Sequence, residues 1–82
     1  MIDYNELGKI VIKAIADAPY YVYPSFSRNK YNVQEDLGPL AMDYCHISMV
    51  PIDVAEDKCE QLNAEYVARK VVEAVLNETN SA

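Results

Sequence analysis

Tyr20 to Phe26 reads YYVYPSF, and this stretch decides the fold. It is rich in aromatic and β-branched residues, the composition of a strand. It follows a helical pattern directly, so the chain changes from helix to sheet within a few residues. Pro24 lacks an amide hydrogen and cannot donate to a ladder, which predicts an edge strand or a bulge at that point. By alternation, Tyr20, Val22 and Phe26 share the more apolar face, and the reading assigns them to the core. Tyr21 and Tyr23 then lie together on the open face. The polar run Ser27 to Lys30 predicts a hairpin turn, because Asn29 tolerates the left-handed conformation. Tyr31 to Gln34 reads as a short returning strand.

Upstream, Tyr4, Leu7, Val11, Ala14, Ile15 and Ala18 recur at three- and four-residue steps, which predicts an amphipathic helix over 3–18. Asp3 followed by Glu6 is a capping-box start, with Ile2 and Leu7 at the staple positions. Pro19 disfavours helical geometry at Ala18 and ends the helix.

Downstream, Asp36 to Pro39 reads as a loop. Met42 to Val50 reads as the central strand, with Cys45, Ile47 and Met49 on one face and Tyr44, His46 and Ser48 on the other. Residues 53–77 are helical, with Asp53 and Glu56 repeating the start signal. The apolar stripe changes side near Asn63, itself a good N-cap. This predicts helical segments 54–62 and 64–77 with a kink or a break between them, and a frayed tail over 79–82. The expected fold is α+β in a single small domain of residues 1–82. It has an N-terminal helix, two or three antiparallel strands and one or two C-terminal helices.

The charge pattern limits function. The net charge is −6. Residues 18–34 carry Arg28 and Lys30 with no acid, whereas residues 35–82 carry ten acids against three bases. A chain without a broad basic face is ill suited to duplex DNA or anionic lipid. The N-terminus has no basic, apolar leader pattern, and no apolar run is long enough for a membrane span. The expectation is a cytoplasmic protein with reduced thiols.

No catalytic constellation emerges. Cys45 and His46 are adjacent on a strand and point to opposite faces. One histidine and two cysteines lack metal-ligand spacing, so no metal and no cofactor is expected. Cys45 and Cys59 read as buried small hydrophobes, and His46 as a half-exposed polar residue. The two glycines of the chain provide no phosphate-cradling loop. The chain reads as a non-enzyme.

Two surfaces remain as candidates. Tyr21, Tyr23, Arg28, Lys30 and Tyr31 form the one concentration of residue types favoured in binding hot spots. Such a surface suits a protein partner, a nucleotide or other small anion, or a second copy of the chain. The acidic face Asp53, Glu56, Asp57 and Glu60 suits a nucleic-acid mimic or a solvated helix start. A thin core and an open edge strand also predict a homodimer or higher assembly.

The segment NAEYVARKVVEAV, Asn63 to Val75, resembles a phrase near the C-terminus of many small phage and prophage accessory proteins. Those often carry an Asn-Ala-Glu-Tyr/Phe start followed by an Ala-Val ending. The resemblance implies a phage-encoded counter-defence protein, such as a CRISPR inhibitor, that blocks a functional surface of a host protein. It assigns no binding residue.

Overall fold

A computed structural model describes residues 3–80, in the order α1 (Tyr4–Asp17), β1 (Tyr20–Pro24), β2 (Tyr31–Glu35), β3 (Tyr44–Val50) and α2 (Ile52–Asn80). The fold is α+β, with one helix, a three-stranded antiparallel sheet and a second helix. Contacts divide the chain into two compact units. One joins the chain up to Ala18 with the chain from Ala64 onward, and the other is Pro19–Asn63.

α1 begins as its sequence requires. The Asp3 carboxylate accepts a hydrogen bond from the Glu6 backbone N–H at 2.8 Å, satisfying one of the amides a helix start leaves open. Glu6 forms a pair with Lys9 at 3.8 Å, and Lys13 pairs with Asp17 at 2.9 Å. The expected Ile2–Leu7 staple falls outside the described residues. Within the helical unit, Ala14 is the one buried residue among those described.

The sheet order is β1-β2-β3, so β2 is central and β3 is an edge strand. This corrects the expectation that 42–50 is the central strand. Consecutive hairpins place the strand that is second in sequence in the middle, whatever its composition. The central position of β2 is filled by Val33, which is fully buried and faces Val22 on one side and Ile47 on the other. The β1–β2 turn closes with Ser25 N–H donating to Lys30 C=O at 2.9 Å, and Asn29 takes the left-handed conformation at φ 58°.

β3 does not keep simple alternation. Its pairing with β2 shifts register twice, between Tyr31 and Val33 and between Val33 and Gln34. Each shift places an extra residue on β3 and turns side chains away from their alternating faces. Cys45 is therefore exposed rather than buried. Met49 sits at φ 61°, a left-handed conformation for a residue that has a Cβ.

α2 is one continuous helix from Ile52 to Asn80. Of the two expected arrangements, one helix kinked near Asn63 or two helices broken there, the single helix is the one observed. The last two residues of the expected frayed tail lie outside the described residues. Its start is one residue past Pro51, whose carbonyl accepts the Ala55 N–H at 3.0 Å, and Asp53 lies in the first turn. Asn63 is not a cap. Its side chain is used elsewhere, as described below. The stripe changes side because residues up to Asn63 belong to the sheet unit and those from Ala64 to the helical unit. In the sheet unit, Ala55 is buried and Cys59, Leu62 and Asn63 are half-buried.

Candidate functional site

The two edges of the sheet differ. At β1, the Tyr20 N–H donates to the Asn63 side-chain oxygen at 3.2 Å, and the Asn63 amide NH₂ donates to the Tyr20 carbonyl at 3.1 Å. Asn63 thus imitates one residue of a neighbouring strand. Both polar groups of Tyr20 point outward, so by alternation those of Val22 do as well, and Pro24 has no N–H to offer. Asn63 covers the β1 edge at Tyr20, and Pro24 removes one donor, while the outward groups of Val22 and the Pro24 carbonyl carry no such bridge among the described residues. The same Asn63 amide lies 3.6 Å from the Cys59 sulfur. Burial pushes the Cys59 thiol pKa up, partly offset by this contact.

Tyr21 and Tyr23 lie on one face as the alternation requires, their rings edge to face at 6.4 Å. They do not play equal parts. The Tyr21 hydroxyl lies 2.8 Å from the Gln34 side-chain oxygen and hydrogen-bonds to the Asp43 carboxylate. It has one proton for two acceptors, and the charged carboxylate is the stronger. That bond holds the phenol pKa up at about 12. Tyr21 therefore ties β1 to the end of the loop before β3. Tyr23 has no such tie and is 54% exposed.

Around Tyr23 the structure assembles a different set from the one expected. Tyr23 faces Asn32 across the ladder. The Asn32 side-chain oxygen accepts the Met49 N–H at 3.0 Å, holding the left-handed residue in place. The Ser25 hydroxyl donates to the Met49 sulfur at 3.0 Å. Met49 is 44% exposed and Phe26 is 99% exposed. Arg28 and Lys30 follow in the same turn, exposed, and no ion pair among the described residues involves them. This end of the sheet presents two aromatic rings, a thioether and two free cations.

Phe26 was expected in the core, and the structure corrects this. Alternation carries across a strand only while the strand continues, and β1 stops at Pro24. The missed signal was Pro24 itself. Tyr31 is half-buried and pairs with Pro24 and with Val50, so it belongs to the opposite face from Tyr23. Met49 was missed because no sequence pattern marks a bulge here.

A second cluster, also missed, lies at the other end of the sheet. The His46 ring packs edge-on against Tyr20 at 5.2 Å and Tyr44 at 4.7 Å. Its Nε2 lies 2.7 Å from a Glu35 carboxylate oxygen. The carboxylate orients the imidazole, and the arrangement is a satisfied polar cluster. Among the described residues no group of three or more His, Cys, Asp or Glu side chains is placed to hold a metal ion.

Asp53, Glu56, Asp57 and Glu60 are all exposed. At about 100° per residue they fall within roughly a third of the helix circumference, a single acidic face. In the helical unit a groove of about 330 Å³ is lined by Ile10, Lys13, Ala14, Asp17, Tyr66 and Lys70. Its cations are engaged: Lys13 with Asp17, and Lys70 with Glu73 at 3.5 Å and over the Tyr66 ring at 5.5 Å. No helix among the described residues is long and apolar enough to cross a membrane.

No family model matches the chain, and neither a curated protein nor a solved structure is significantly similar to it.

Proposed function

We propose that this chain is a non-enzymatic binding protein that acts by covering a functional surface of a protein partner. The contact surface in this reading is the tip of the β1–β2 hairpin with Met49. The observation that carries it is Phe26. An aromatic side chain that is 99% exposed, beside a second exposed ring and two unpaired cations, contributes nothing to folding where it stands. Its burial against a partner would contribute binding energy of the kind found at aromatic and arginine hot spots. The resemblance of Asn63 to Val75 to phage accessory proteins supplies a setting. In that setting the partner is a host defence protein such as a CRISPR effector, and the binder is an inhibitor.

The test is affinity capture from a candidate host lysate with wild-type protein, Phe26→Ala, Tyr23→Ala and a charge-reversed acidic face (Glu56→Lys, Asp57→Lys, Glu60→Lys). Phe26→Ala is expected to leave stability within about 0.5 kcal/mol, as for other open surface positions. It is expected to weaken capture by about 30-fold, a loss of about 2 kcal/mol. Undiminished capture by Phe26→Ala and Tyr23→Ala together would refute the assignment. Loss of capture only on charge reversal would favour the acidic face and the nucleic-acid mimic instead.

Arg28 and Lys30, without ion-pair partners among the described residues, support a second reading in which the same tip holds a nucleotide or other small anion. Mass spectrometry of protein denatured after purification distinguishes it, since a co-purifying anion is expected there and not under the first reading.

A further inference from the structure

The helical unit has a face that its own residues do not cover. Tyr4, Ile12 and Ile15 on α1, and Val72 and Leu76 on α2, are between 54% and 92% exposed. On α1, Tyr4, Gly8, Ile12 and Ile15 follow helical spacing. On α2, Ala68, Val72 and Leu76 recur every four residues. At about 100° per residue, both stripes lie roughly opposite the groove-lining residues Lys13, Asp17, Tyr66 and Lys70. The two helical segments run antiparallel. Tyr20, just past the end of α1, is bonded to Asn63, just before Ala64, so the second segment begins near the point where α1 ends, and the two share one groove. The stripes therefore lie on the side of the helical hairpin away from that groove, a largely apolar face interrupted on α2 by Glu65, Arg69 and Glu73.

We propose that this face is the interface with a second copy of the chain, packed as a four-helix arrangement about a two-fold axis. Three observations select a second copy. First, Ala14 is the one buried residue described in this unit, so two helices alone make almost no core. Second, the face contains both parts of a packing joint. A shallow depression of about 290 Å³ is lined by Ala68, Arg69, Val72 and Glu73, while Ile12 and Ile15 stand out from the neighbouring helix. A two-fold axis repeats every contact twice, so a knob and a notch on the same face satisfy each other in both directions. Third, the area suffices. Five apolar side chains at these exposures offer on the order of 550 Å² per copy, which with the rim reaches the low end of the range for specific interfaces.

This assembly rests on residues separate from the hairpin tip and displays two tips per particle. The sheet edge is not required for it, unlike the edge pairing expected from composition.

The test uses native mass spectrometry and analytical ultracentrifugation of the full chain. Wild-type protein is expected to be a dimer at about 0.1 mM. Ile12→Lys and Val72→Glu change exposed positions and should keep the wild-type circular dichroism spectrum. Each alone is expected to weaken the dimer by 100-fold or more, because each places two charges in an apolar contact. An equimolar mixture of the two is expected to form a heterodimer, in which one lysine meets one glutamate and the other contact stays wild type. A wild-type monomer, folded variants that remain dimeric, or a mixture that stays monomeric would each overturn the proposal.

Discussion

Replacing Asn63 tests how this fold joins helix to sheet. In the structure the Asn63 amide accepts from the Tyr20 N–H and donates to the Tyr20 carbonyl, at 3.2 and 3.1 Å. Removing both bonds leaves two half-buried backbone groups short of partners, at about 1 kcal/mol each. Alanine recovers roughly 0.5 kcal/mol because it favours the helix interior more than asparagine does. Asn63→Ala should therefore cost about 1.5 kcal/mol, which in a chain of this size lowers Tm by about 10 °C. An N-cap at the same position would cost about as much when lost, so alanine alone does not separate the two roles. Aspartate does. It caps a helix as well as asparagine, but it has no hydrogen to donate and brings a negative oxygen against the Tyr20 carbonyl. The bridge predicts that Asn63→Asp is at least as destabilised as Asn63→Ala, with faster exchange of the Tyr20 amide hydrogen. Urea unfolding read by circular dichroism measures both variants. If Asn63→Asp came within about 0.5 kcal/mol of wild type while Asn63→Ala did not, the residue would be a cap and the reasoning wrong.

Two further outcomes follow from the sheet. The Tyr21 phenol, held by Asp43, should ionise near pH 12 rather than 10, seen as a late step in phenolate absorbance that Tyr21→Phe removes and Asp43→Asn shifts down. Because the folded pKa is the higher one, the stability from this bond is complete below pH 10 and is lost as pH rises towards 12. Unfolding midpoints of wild type and Tyr21→Phe should converge across that window, and a constant gap would contradict the assignment. At Met49, φ 61° penalises any Cβ and a branched one most. Met49→Gly should be more stable than Met49→Val by about 1–2 kcal/mol, the reverse of what side-chain burial predicts, and the opposite ranking in urea would rule out the left-handed conformation.

The parts of this fold that were legible in the sequence are those where one local rule decides the outcome. Asp3 caps α1, Pro19 ends it, Asn29 turns the hairpin and Pro24 stands at an edge, each through the geometry of a single residue. The errors arose where two rules compete. Asn63 is a good N-cap by type, and the stripe does change side there, so local reading places a kink or a break at that point and cannot choose between them. The bridge to Tyr20, 43 residues away in sequence, uses the same side chain and leaves the helix whole. The stripe change survives because it records which unit each half of α2 serves, not where a helix ends. Phe26 shows the same conflict on the sheet side. Alternation places it in the core, Pro24 ends the strand first, and the ring is left in solvent. That outcome is costly for a chain whose described residues bury only Ala14, Val33 and Ala55. Exposure alone does not single Phe26 out, since Leu40 at 100% and Met42 at 90% are comparably open; what distinguishes it is that Tyr23, Arg28 and Lys30 stand in the same hairpin end. Phe26 is therefore both the residue that alternation misplaced and the one on which the proposed contact surface rests, because its ring ends in solvent beside the other residues of that surface.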